Sequence, residues 1–190
     1  EKFPCEAVYG MHNWPGMAEG QFAVHDTAVM AANETLKISI KGKGGHAAKP
    51  YLTADTVLTA SQIVVALQQV VSRNNNPFSP SVLSICSMQG GYTTNVIPSE
   101  LKMMGTFRAM DEGWRFEAHR RIREIVEHVG KAHGAEVELE ISVGYPSVVN
   151  DHVLTQHARS LAEEMIGTEM VEETELSMGA EDFGYYSQKI

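Results

Sequence analysis

Glu34-Thr35-Leu36-Lys37-Ile38-Ser39-Ile40-Lys41 sets Leu36, Ile38 and Ile40 on one face and Lys37, Ser39 and Lys41 on the other. Period-two alternation of this kind marks a strand with one face buried. A glycine-rich turn follows, Gly42-Lys43-Gly44-Gly45-His46, and Thr53 is then placed to cap a helix whose first turn Asp55 supports. The helix carries Val57, Leu58, Ser61, Val64, Val65 and Val71 near helical spacing. It ends around Asn74-Asn75-Asn76-Pro77, where proline prevents continuation. Two strand-like runs come next, Ser81–Gln89 and Glu100–Met110, joined by a loop that contains Gly90-Gly91 and Asn95. A second helix starts after Asp111, carries Ile122, Ile125, Val126 and Val129 as one stripe, and closes at Gly134. Val137, Leu139, Ile141 and Val143 then alternate with Glu136, Glu138, Glu140 and Ser142, the cleanest strand in the chain.

The order over residues 34–146 is therefore β-α-β-β-α-β. Such a unit is expected to fold as a four-stranded antiparallel sheet with both helices on one face, the ferredoxin-like arrangement of an α+β protein. The flanking segments, 1–33 and 147–190, have no room for a second complete core. A helix over about Asp151 to Ile166 is expected, with Leu154, Ala158, Leu161 and Met165 on one side. A ferredoxin-like fold serves many unrelated tasks, so function has to come from particular residues.

Composition bounds the classes. The 190 residues are 43% hydrophobic and 21% charged, with a net charge of -9. An acidic chain without a Lys/Arg cluster argues against nucleic acid and against an anionic membrane surface. No apolar run approaches the roughly 20 residues of a membrane-spanning helix. Two cysteines, Cys5 and Cys86, without CxxC spacing predict reduced thiols and a cytoplasmic protein, with Cys86 as a small core residue. The chain begins without Met at Glu1-Lys2-Phe3-Pro4-Cys5 and stops at Ile190 with no helix-stopping residue, so it reads as part of a longer protein.

Five short motifs place polar residues among glycines and prolines. In Gly10-Met11-His12-Asn13-Trp14-Pro15-Gly16, His12 follows a strand-like stretch, Ala7-Val8-Tyr9. A strand end is a place where metal ligands are presented, although a lone histidine is more often structural. His46 sits in Gly42-Lys43-Gly44-Gly45-His46-Ala47-Ala48-Lys49-Pro50, where small neighbours admit a ligand, and where a plain turn is an equal reading. Asn95, in Asn95-Val96-Ile97-Pro98, by default holds its turn. Arg108, in Phe107-Arg108-Ala109, needs a carboxylate from substrate or from protein. In Met178-Gly179-Ala180-Glu181-Asp182-Phe183, Asp182 or Glu181 by default caps a following helix. His119, His128, His133, His152 and His157 fall on predicted helices and read as solvent-facing, and His25 has no recognisable setting.

Taken in this order, the five motifs resemble the amidohydrolase branch of the M20 peptidase family, which groups hippurate hydrolases, N-acyl-L-amino-acid amidohydrolases and IAA-amino-acid hydrolase-like proteins. The resemblance covers essentially the whole chain. It implies that residues 34–146 are the family's dimerisation, or lid, domain. It also implies that 1–33 and 147–190 are pieces of an α/β metallohydrolase catalytic domain holding two divalent ions, Zn, Mn, Co or Ni. On that basis His12 resembles a metal ligand, and His46 the residue that reaches the partner subunit's site to stabilise an oxyanion. Asn95 and Arg108 resemble substrate-holding residues, and Glu181 supports the metal site.

The chain also departs from the family pattern. The family's Cys-Gly-His-Asp-like metal motif, its paired glutamates and its last ligand histidine are absent. One candidate ligand cannot hold two metals. The expectation is split: the parent protein is a homodimer hydrolysing N-acyl amino acids, while this chain alone binds no catalytic metal tightly and cleaves nothing. The alternative is a stand-alone ferredoxin-like dimerisation or small-molecule-binding module without catalysis.

Overall fold

A computed structural model describes residues 5–189; residues 1–4 and 190, on which the expectation of cut ends rests in part, lie outside the described residues. The elements in chain order are β1 (Phe22–Val24), β2 (Thr27–Met30), β3 (Ala32–Lys41), β4 (Gly45–His46), α1 (Thr56–Gln69), β5 (Ser81–Gln89), β6 (Val96–Ile97), β7 (Glu100–Ala109), α2 (Glu112–Ala132), β8 (Glu136–Val143), β9 (Val148–Asn150), α3 (His152–Ile166), β10 (Val171–Glu173) and α4 (Gly184–Ser187). They divide into two compact units, residues 33–144 and the two flanking segments together.

The unit 33–144 is a mixed helix and sheet fold. Its sheet runs β5-β7-β3-β8, with β5–β7 and β3–β8 antiparallel. Leu36 pairs with Ile141, Ile38 with Leu139 and Ile40 with Val137, so the alternation read from each strand falls on the same face. That face packs on α1 and α2 around Leu36, Ile38, Ile40, Met103 and Phe107, with Ile63 and Leu67 from α1 and Ile122 and Val126 from α2. Each such large apolar side chain, fully buried, contributes about 1.5–3 kcal/mol. On the opposite face Lys37 meets Glu140 at 3.1 Å and Lys41 meets Glu138 at 3.4 Å, exposed pairs that contribute little.

Three expectations are corrected here. The N-cap of α1 is Asp55, whose carboxylate accepts from the Val57 and Leu58 N–H groups, while the Thr53 hydroxyl donates to Pro50 O. The buried stripe of α1 is Thr56, Thr59, Ala60, Ile63 and Leu67; Val57, Leu58 and Val65 are exposed. The β-branched residues pointed to the wrong side because the sheet selects a narrow face on which Ala60 lets the helix approach closely. Cys86 is exposed rather than in the core: counted from buried Leu83, alternation along β5 puts it on the outer face, at the point where the β5–β7 register slips between Ile85 and Ser87. Asp55→Ala is expected to cost about 0.5–2 kcal/mol in denaturant melts. Thr53→Ala should be the milder change, and a reversed order would refute the capping assignment.

A further correction concerns His119, which is 12% exposed rather than solvent-facing. It packs edge-on against Phe107 and Phe116, and its Nε2 lies 3.2 Å from Glu34 Oε1. Glu34 and Arg115 are buried and paired through the guanidinium Nε. Arg115 also donates to Glu112 Oε2 at 2.9 Å and to Gly144 O at 3.2 Å, and the Gly144 N–H donates to Asn33 O at 2.9 Å. Burial pushes the Glu34 carboxyl up, but the His119 and Arg115 side chains more than offset it, leaving Glu34 below the usual carboxylate range. α2 itself ends as its sequence predicts, with Gly134 at φ 68 just beyond the C-cap.

In the other unit β1 pairs parallel with β10 and β2 antiparallel with β9. Asp151 caps α3 by accepting from the Leu154 N–H. The Ala7-Val8-Tyr9 stretch forms no strand, because a strand exists only by pairing and no ladder partner runs beside it among the described residues. Among those residues no helix is long and apolar enough to cross a membrane.

Candidate functional site

The first and last of the five motifs meet. His12 Nε2 lies 2.7 Å from Glu181 Oε2, although 169 positions separate them. The backbone brings this about: the Ser177 N–H donates to Val29 O, and the Ala31 N–H is shared by the carbonyls of Ser177 and Gly179, so residues 177–179 run along the end of β2. Gly10 admits the Phe183 ring, since a Cβ there would stand 3.0 Å from Phe183 Cε2. Trp14 packs edge-on to His12 at 6.3 Å.

Glu181 does not cap the following helix, whose N-cap is Phe183 with no side-chain cap; its Oε1 accepts from the Phe183 N–H at 3.3 Å in the turn that precedes α4. A hydrogen bond with Asp182 holds the Glu181 carboxyl below its ordinary value, and the same contact holds Asp182 above its own. A carboxylate accepting from His12 Nε2–H fixes the neutral tautomer and leaves the Nδ1 lone pair for a metal. This donor set fits one share of a metal centre. It is not a cage, since no three His, Cys, Asp or Glu side chains converge as one among the described residues.

In the unit 33–144 the second and third motifs meet. β4 pairs with β6, His46 opposite Val96, and the Ala47 N–H donates to Asn95 O at 3.0 Å. Gly44 is required here, because a Cβ would stand 2.7 Å from Ile97 O. The Ala48 N–H donates to His46 Nδ1 at 3.1 Å, which puts the proton of the neutral ring on Nε2. The Thr93 hydroxyl donates to Asn95 Oδ1 at 3.1 Å. His46 and Asn95 are both exposed.

Arg108 lies elsewhere in the same unit. It is half-buried on the sheet face away from the core, opposite Val82, toward the far end of β7. From Glu100 to Arg108 the extended chain covers about 26 Å. The structure thus makes two pairs, His12 with Glu181 and His46 with Asn95, and holds Arg108 apart from the second. The contacts of Thr93 and of the Ala48 N–H were missed in the sequence. A Thr two positions before a candidate Asn was the only local signal.

Comparison with known proteins covers the full chain. The family described as Peptidase family M20/M25/M40 matches residues 1–190. An N-acetylcysteine deacetylase of Bacillus subtilis is 38% identical over 97% of this chain and 48% of its own length. IAA-amino acid hydrolase ILR1-like 4 of Arabidopsis thaliana is 34% identical over 97% of this chain and 43% of its own. Among solved structures, the Bacillus subtilis YXEP protein, described as a dinuclear metal binding peptidase of the M20 family, superposes with a TM-score of 0.76. It is 30% identical and covers 95% of this chain and 44% of that one. The chain thus spans about half the length of these relatives.

Proposed function

Because the chain belongs to peptidase family M20/M25/M40, we propose that it is part of a metal-dependent amidohydrolase cleaving N-acyl amino acids or hippurate-like amides. The two relatives above are named for releasing acyl groups from amino acids, which supports this substrate class. The observation that carries the reading is the contact of His12 with Glu181. A histidine oriented by a carboxylate is how proteins present imidazole to a metal.

In this reading His12 holds one of two ions, Zn, Mn, Co or Ni, and Glu181 orients it. Bound metal ions supply carbonyl polarisation and an activated water. His46 presents Nε2–H to the developing oxyanion in the partner subunit's site. Asn95 and Arg108 hold the substrate's carboxylate or amide.

The unit around residues 34–146 then serves as a ferredoxin-like lid and dimerisation domain, a role its strand order supports. Two surfaces support a second copy as its partner. Val57, Leu58 and Val65 form an exposed apolar ridge on α1. β5 and β8 are the sheet edges, and only β8 carries a run of like charge, Glu136, Glu138 and Glu140. Lys37 and Lys41 compensate two of these glutamates, so either edge could pair with a second copy. In the same reading the parent protein works in the cytoplasm, with no nucleic-acid or membrane partner.

The test is hydrolysis of N-acetyl amino acids and hippurate by the full-length protein with each metal added back after chelation. Activity is expected only with metal, and the 190-residue chain alone is expected to be inactive. Metal-independent cleavage would refute the first claim, and cleavage by this chain alone the second. Glu181→Gln should weaken metal affinity about 10–100-fold in competition with a chelator, and His12→Ala should weaken it more.

A further inference from the structure

We infer that His25 is a positioning residue: by holding the Thr174 carbonyl it anchors the strap of residues 174–181 that carries Glu181 to His12. The inference rests on the reading of His12 as a metal ligand oriented by Glu181, and it deepens that reading by naming what keeps the pair in register.

The strap leaves β10 and changes partners on its way to Glu181. The Thr174 N–H donates to Val24 O at 3.0 Å, one residue past the β1–β10 ladder, and the Ser177 N–H donates to Val29 O at 2.9 Å, beside β2. Val24 and Val29 are five positions apart, whereas Thr174 and Ser177 are three apart, so the corner between β1 and β2 takes up the excess. It does so at His25-Asp26-Thr27, where Thr27 sits at φ 66. A β-branched residue stays in that region only where its surroundings hold it. Here Asp26 Oδ1 accepts from the Thr27 N–H at 2.9 Å, Asp26 Oδ2 pairs with His152, and Asn150 Nδ2 donates to His25 O at 2.8 Å.

The part-buried His25 ring meets the strap from this fixed corner, its Nδ1 lying 3.1 Å from Thr174 O. A carbonyl has no proton to give, so Nδ1 carries the hydrogen and donates it. Glu173 Oε1, 3.3 Å from the same nitrogen, is exposed and adds little. Thr174 is thus held through both its N–H and its C=O. From there the strap runs to Ser177 and Gly179, whose carbonyls share the Ala31 N–H, and on to Glu181. Releasing the first anchor lets the strap shift along β2 and draws Glu181 Oε2 away from His12 Nε2, 2.7 Å distant.

A double-mutant cycle on the full-length protein, read as Zn2+ affinity in competition with a chelator, tests this. His25→Leu is expected to weaken Zn2+ binding about three- to tenfold, the worth of one modest hydrogen bond. His25→Asn, whose amide places an N–H donor where Nδ1 stood, should restore affinity to within about twofold. In a Glu181→Ala background His25→Leu should change the affinity less than about twofold, because its route to the metal runs through Glu181, whereas a general loosening of the fold would add in full. Should His25→Leu fail to fold, His25→Gln, whose amide lies one carbon farther out, takes its place with the same expectations. If Glu181→Ala leaves Zn2+ affinity unchanged, the reading of the metal site fails and the inference goes with it. If Glu181→Ala weakens binding while His25→Leu does not, if the two losses add, or if His25→Asn fails to rescue, the inference alone is overturned.

Discussion

Arg115→Met is expected to lower the unfolding free energy of this chain by about 3 kcal/mol, the lower end of the cost of breaking a buried ion pair, because His119 remains 3.2 Å from the buried Glu34 carboxylate. Glu34 and Arg115 are 1% and 3% exposed, so water cannot replace the lost guanidinium. Arg115 also holds Gly144 O, and Gly144 is bonded to Asn33, so one side chain ties the first and last residues of the unit 33–144. The measurement is urea denaturation, and a loss below about 1 kcal/mol, the level of an exposed pair, would refute the buried reading. Glu34→Leu combined with Arg115→Met should recover much of the loss, because a well-packed apolar pair carries no desolvation penalty.

The pH dependence of the same pair has a definite sign. The Glu34 carboxyl is held below its ordinary value of 4.5 in the folded chain. A depressed carboxyl contributes stability that is fully present above the unfolded value and is lost as pH falls through the folded one. The wild type and Arg115→Met should therefore differ most near neutrality and converge as the pH drops below 4.5. A gap independent of pH would assign the effect to packing alone.

His46→Ala in the full-length enzyme is expected to reduce kcat about 10²–10³-fold, the usual cost of one oxyanion donor, with a smaller change in KM. The defect should be correctable in trans. A His46→Ala subunit keeps its own His12, and a His12→Ala subunit keeps its own His46. Their mixed dimer has one site with both residues, and random pairing should restore about a quarter of wild-type activity. No recovery on mixing would show that His46 serves its own subunit. A monomer by light scattering would remove the basis for exchange altogether.

The strands and helices between residues 33 and 144 were legible in the sequence, because they are long enough for periodicity to speak. β3 and β8 alternate over eight or more residues, and α2 keeps Ile122, Ile125, Val126 and Val129 on one side through 21 residues. The flanking unit was mostly hidden because β1, β9 and β10 are three residues each, less than two full alternations. Their partners lie more than a hundred positions away in the chain.

The five motifs divide along the same line. Residue types and glycine neighbours singled out His12, His46, Asn95, Arg108 and Glu181, and the resemblance of the five motifs to the M20 family gave them candidate roles. Tertiary structure alone decided which of them touch. Backbone pairing of residues 177–179 with β2 carries Glu181 to His12, a contact no local pattern encodes. It also decided the buried side of α1, because packing against a sheet favoured Ala60, Ile63 and Leu67 over the more apolar-looking ridge of Val57, Leu58 and Val65. The same holds for Glu34, a charged residue at the start of an ordinary strand whose burial became intelligible only once Arg115 lay beside it.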